Sequence, residues 1–177
     1  MPRLILFVPC RQIIVSADDQ TITLVSLVDG VNAPVTDGAP QGVADITWEH
    51  LTVWQAEPDD GGQEFEQRLE IVRPDRKVAA EVRQRFAIGE RSLRVRGAVV
   101  GFPSEVAGDY TLRLSLRHVL DSETWERVTE YPVVVRHVAP EPTAASSEPV
   151  PPPPPASPTR RRRASPGTRA PTRRRSQ

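Results

Sequence analysis

Cysteine is almost missing from this chain: Cys10 is the only one in 177 residues, so no disulfide can close within it. Small exported domains lean on disulfides, and their lack fits a reducing compartment, so the expected location is cytoplasmic. Long apolar runs are missing too. The longest, Leu4 to Val8, has five residues, against roughly 20 for a membrane helix and about 7–15 for the core of an export signal. A helical membrane span is excluded, and Pro9 stands where lipid-attachment sites favour a small residue before the cysteine. Lysine is reduced to Lys77 against 22 arginines; this bias alone says little about function.

What is present divides sharply. Residues 1–138 carry 15 basic and 21 acidic side chains, a balance of −6, and residues 139–177 carry 8 and 2, a balance of +6. The second segment has five consecutive prolines, Pro151 to Pro155, and no Leu, Ile, Phe, Tyr or Trp. It lacks the apolar surface that offsets chain entropy, and is expected to be a disordered Pro/Arg-rich tail. The first segment has the size of one domain.

Within residues 1–138 the dominant pattern is period-two alternation, the signature of half-buried strands. Tyr110 to Arg117 swaps apolar and polar at every step, placing Tyr110, Leu112, Leu114 and Leu116 on one face. Phe65, Leu69 and Ile71 mark a second strand, and Val78, Ala80, Val82 and Phe86 a third. Between them Arg73-Pro74-Asp75-Arg76-Lys77 reads as a turn, with proline fixing φ at its first central position, so the two strands form a hairpin. Further strands are expected at Leu4 to Val8, Gln12 to Val15, Thr21 to Val28, Ile46 to Gln55, Leu93 to Val100 and Val128 to Val138. About eight strands with turn residues between them predict an all-β fold, a single antiparallel sandwich over residues 1–138. No amphipathic helix stands out.

The segment Ala107-Gly108-Asp109-Tyr110-Thr111-Leu112 resembles the penultimate strand of immunoglobulin-like domains, where a tyrosine follows a tight corner. Together with Leu4 to Cys10, Thr21 to Leu27 and Val72-Arg73-Pro74-Asp75, it resembles a family of small bacterial β-sandwich domains of unknown function over about residues 4–136. The resemblance implies a compact sandwich and carries no activity or site residue with it.

Candidate chemistry is thin. Cys10 with His50, His118 or His137 would be a nucleophile pair, but no local motif surrounds the cysteine, and buried structural cysteine is the commoner state. The histidines lack zinc-site spacing. Asp18-Asp19 and Asp59-Asp60 could offer oxygen ligands to calcium, yet aspartate is also the ordinary residue of turns. Gly61-Gly62 feeds no helix that could cradle phosphate. No catalytic, cofactor or metal site is expected, and the chain reads as a non-enzyme. Trp48 and Trp54 share strand parity and are expected in the core, and Arg83 and Arg85 would form a basic stripe with Arg94 and Arg96 if their strands pair.

The tail is the one segment whose composition suggests a task. Arg160, Arg161, Arg162, Arg163, Arg169, Arg173, Arg174 and Arg175 are the candidate anion-binding residues, with nucleic acid or an anionic surface as nonspecific partner. Pro155-Ala156-Ser157-Pro158-Thr159-Arg160 also matches the Pro-x-x-Pro-x-Arg pattern that proline-binding grooves read, which leaves a protein partner open. A solubilising extension without a ligand is the plainest reading. The expected function is a binding or accessory module; a self-associating structural subunit and, behind it, a Cys10-dependent enzyme are the alternatives.

Overall fold

A computed structural model describes residues 1–36, 38–89, 91–120 and 123–139. Ten strands follow one another: β1 (Arg3–Val15), β2 (Ile22–Leu27), β3 (Gly30–Thr36), β4 (Ala39–Pro40), β5 (Val43–Gln55), β6 (Glu64–Val72), β7 (Val78–Ala87), β8 (Ser92–Pro103), β9 (Gly108–His118) and β10 (Glu126–Val138). They build two sheets, ordered β2-β1-β5-β8 and β4-β3-β10-β9-β6-β7. The all-β sandwich is therefore as expected. With β5 and β8 in one sheet and β6, β9 and β10 in the other, these strands take the places of B and E, and of C, F and G, in an immunoglobulin-like domain.

Two features depart from the expected pattern. The strands number ten rather than about eight, since β3 and β4 were not foreseen while the two predicted runs at Leu4 to Val8 and Gln12 to Val15 join as β1. Nor is the sandwich wholly antiparallel, because β3 lies parallel to β10, with Val31 beside Val135 and Ala33 beside His137. Asn32 and Pro34 hide β3 from a propensity reading. Proline is tolerated there because only the two-residue β4 lies beyond β3.

The core forms where the inward faces meet. Trp48, Trp54 and Phe102 from the four-stranded sheet face Phe65, Leu69, Ile71, Tyr110, Leu112, Leu114, Val133 and Val135 from the other, all buried. Trp48 lies 6.1 Å from Phe102, and Phe102 meets Tyr110 edge-on at 5.6 Å. Gly101 makes this corner possible. At its φ of 81° a side chain would be strained, and its carbonyl accepts the Trp48 indole N–H at 3.2 Å. Tyr110 is the third residue of β9, just after the corner at Gly108. Burial raises its pKa and the nearby Val106 amide opposes that rise, although no hydrogen bond of full geometry closes on the hydroxyl.

A smaller apolar cluster lies on the other face of the four-stranded sheet. Beyond Cys10 the first strand leaves β5 and pairs only with β2. Ile13, Ile22 and Leu24 of this hairpin pack with Val8, Leu51 and Val53, and Cys10 is sealed among them. Glu49 fixes the departure, accepting the Ile13 N–H at 2.6 Å while pairing with Arg96.

Candidate functional site

Strand register on the six-stranded sheet brings five arginines together: Arg68, Arg83, Arg85, Arg113 and Arg117. Along β6 the inward residues Phe65, Gln67, Leu69 and Ile71 alternate with the outward Glu66, Arg68 and Glu70. Pairing with β7 and β9 extends each outward residue into a row across three strands. The rows read Arg85-Glu66-Arg117, Arg83-Arg68-Ser115 and Glu81-Glu70-Arg113. Glu66 accepts from Arg117 at 2.8 Å and lies 3.5 Å from Arg85. Burial pushes its carboxyl upward, but the Arg117 hydrogen bond and the charges of Arg117 and Arg85 outweigh this and hold it below its ordinary value.

Trp125, next to the first residue of β10, caps these rows. Its ring centroid lies 4.5 Å from the Arg68 guanidinium, 4.8 Å from that of Arg117 and 5.7 Å from that of Arg83. All three fall within the roughly 6 Å reach of a cation–π contact. Beside the indole opens a cavity of about 470 Å³ lined by Arg117, His118, Thr124, Trp125, Glu126 and Met1. Arg83 bonds Glu81 at 2.8 Å, whereas Arg68 comes no nearer to Glu70 than 3.6 Å, and its buried Nε has no hydrogen-bond acceptor among the described residues.

The other candidates take structural positions. Cys10 is fully buried, and burial followed by the Glu49 charge raises its thiol pKa, the reverse of an activated nucleophile. His50 stands on the inner face of β5, while His118 meets Phe65 edge-on at 5.2 Å and His137 approaches the Ser104 carbonyl at 2.8 Å. Asp19 accepts from the Thr21 hydroxyl at 2.6 Å and amide at 3.0 Å, bonds that lower its pKa to about 2. Asp60 accepts the Glu57 amide at 2.8 Å. Both acidic turns thus cap their own backbone, and among the described residues no group of three or more His, Cys, Asp or Glu is placed to hold a metal. The stripe expected from Arg83, Arg85, Arg94 and Arg96 does not form. Strand β7 pairs with β6 and β8 with β5, in different sheets, and Arg96 turns to Glu49. The candidate tail residues Arg160, Arg161, Arg162, Arg163, Arg169, Arg173, Arg174 and Arg175 lie outside the described residues.

Comparison with solved structures finds a distant likeness of fold. The chain is similar to the crystal structure of an immunoglobulin-like protein from Pseudomonas aeruginosa, at 12% identity over 77% of this chain and 97% of that one, with a TM-score of 0.30. So distant a likeness adds nothing to the strand order, which identifies the architecture by itself. No family model and no curated protein match the chain.

Sequence reasoning missed the Trp125 cluster and also a buried polar seam between the sheets. The Trp54 indole donates to Gln67 Oε1 at 3.0 Å, and the Thr52 hydroxyl donates to the same atom at 2.8 Å. Gln67 Nε2 donates to Gln84 Oε1 at 2.8 Å, which also faces His50 Nε2 at 3.0 Å, while Gln84 Nε2 donates to the Arg96 carbonyl. His50 therefore carries its proton on Nε2, and the buried Nδ1 has no partner among the described residues. Burial lowers its pKa, with the Gln84 bond opposing. Protons thus bind the unfolded chain more readily than the folded one. Stability should be full above the unfolded value of 6.5 and fall as pH drops below it toward the depressed folded value. Urea melts of wild type and His50→Gln between pH 7.5 and 5 should show a steeper acid-side loss in wild type; parallel pH profiles would remove His50 as the cause.

Proposed function

We propose that this chain is a non-enzymatic binding module, with the contact surface on the outward face of the six-stranded sheet and nonspecific attraction added by the tail arginines. The observation that supports it is the gathering of Arg68, Arg83 and Arg117 on Trp125. Arginine and tryptophan are the side chains that most often anchor interfaces, and here they converge on a solvent-facing sheet. The sealed, raised-pKa thiol of Cys10 weighs the same way, against a cysteine mechanism. A place in the cytoplasm, and kinship with small bacterial domains of unknown function, complete this reading.

The tail part is tested on the full chain by replacing Arg160, Arg161, Arg162, Arg163, Arg169, Arg173, Arg174 and Arg175 with glutamine. Wild type should bind duplex DNA or anionic vesicles in low salt, with a log–log salt slope near −0.9 for each DNA phosphate neutralised. The variant should lose most of that binding. Equal binding by both chains would refute the role of the tail.

A further inference from the structure

We propose that Arg68 and Arg83, with Trp125 above them, form a site for a single carboxylate side chain presented by a protein partner. The proposal rests on the binding-module reading and narrows it to a ligand class. Its starting point is an imbalance. The nine central positions of β7, β6 and β9 hold five arginines, three glutamates and Ser115, a surplus of two positive charges. Arg68 and Arg83 stand directly opposite each other on neighbouring strands, where like charges repel.

Compensation around that surplus is uneven. Arg117 has Glu66 at 2.6 Å, Arg113 has Glu130 at 3.1 Å and Arg83 has Glu81 at 2.8 Å. Among the described residues Arg68 has the 3.6 Å approach of Glu70 as its one carboxylate contact, and its Nε makes no hydrogen bond. One further carboxylate on the solvent side of the Arg68-Arg83 pair relieves that repulsion, while the buried Arg68 Nε stays out of its reach. Access comes from the β7 side, because Trp125 stacks on Arg68 while the Arg83 side chain is 47% exposed on the outermost strand.

The row on one side of this pair disfavours an extended polyanion. At about 3.3 Å per residue, successive outward rows lie roughly 6.6 Å apart. A nucleic acid strand docked on Arg68 and Arg83 would bring a phosphate against Glu70 and Glu81 in the row on one side, while the row on the other, Arg85-Glu66-Arg117, keeps a net positive charge. A lone acidic residue between basic or neutral ones meets no such repulsion. The Glu70-Glu81 row therefore favours an isolated carboxylate over a chain of phosphates, and polyanion attraction is assigned to the tail.

Trp125 provides the readout in the full-length chain, since Trp48 and Trp54 are fully buried and give a constant background. Its emission is titrated with a short peptide carrying one Glu between lysines, with the same peptide carrying Gln, with inorganic phosphate and with a DNA duplex. The Glu peptide should give a saturable change, at least tenfold tighter than any change from the Gln peptide or phosphate. Arg83→Gln, an exposed substitution on an edge strand, should weaken it at least tenfold while leaving the thermal melt and the tail-dependent DNA binding in place. No saturable change, equal Glu and Gln responses, phosphate or DNA acting on Trp125 as strongly as the peptide, or an unaffected Arg83→Gln would each overturn the site. DNA binding that persists through such a failure leaves the tail reading standing; loss of DNA binding alone refutes the tail and not the site.

Discussion

Trp48→Ala should lower stability by about 3–5 kcal/mol, the usual result of emptying a large buried aromatic site. Trp48 is fully buried between the sheets, lies 6.1 Å from Phe102 and donates to the Gly101 carbonyl. Alanine removes the ring and leaves that carbonyl without its donor, and the rigid sheets on either side limit collapse into the space. For a domain of this size the melting temperature should fall by roughly 10–20 °C. Val100→Ala is the internal control. Val100 is 79% exposed on β8, and its replacement should stay within about 0.5 kcal/mol. Comparable losses for the two would mean that Trp48 is not at the centre of the core.

Gly97→Ala should be nearly as damaging, for the opposite reason. A Cβ on Gly97 would lie 2.2 Å from His50 Cε1, 2.8 Å from His50 Nε2 and 3.0 Å from Gln84 Nε2. The ring must shift, and its bond to Gln84 goes with it. Overpacking of about 1–3 kcal/mol then adds to a further 1–3 kcal/mol, roughly, for buried polar groups left unpaired. The cause is separable by a double-mutant cycle. In a His50→Ala background the obstructing ring is gone, so Gly97→Ala should cost at least about 1 kcal/mol less than in wild type. Additive losses would show that the close approach of Gly97 to His50 is not what excludes a side chain there.

The parts of the fold that were legible in the sequence are those set by alternation within one strand. Tyr110 to Arg117 alternates without a break and became β9, with Leu112, Leu114 and Leu116 inward. The shared parity of Trp48 and Trp54 buried both. What depends on pairing was not legible. Strand β3 was missed because Asn32 and Pro34 suit neither a propensity scale nor an alternating pattern, and its parallel place beside β10 is a long-range contact. The basic stripe failed because Arg83 and Arg94 belong to different sheets.

The candidate site was hidden by a single residue of register. Val72 stands opposite Val78, and continuing that register would set Arg68 against Val82. A shift between Ile71 and Val72 moves the pairing by one, so that Leu69 meets Val82 inside and Arg68 meets Arg83 outside. Arg117 joins them only because β9 lies on the other flank of β6. Nothing in the sequence near Trp125 announces that it caps three guanidiniums. The charge division between the two segments was plain from the start, yet it pointed to the tail alone.

In the function proposed above, polyanion attraction belongs to the tail and specific contact to the six-stranded sheet. The most direct test is the salt dependence of duplex DNA binding by the full chain, compared among wild type, the tail-arginine variant and Arg68→Gln/Arg83→Gln. A shallower slope in the tail variant, with an unchanged slope in the sheet variant, is the predicted result; a slope that falls in the sheet variant and holds in the tail variant would contradict it.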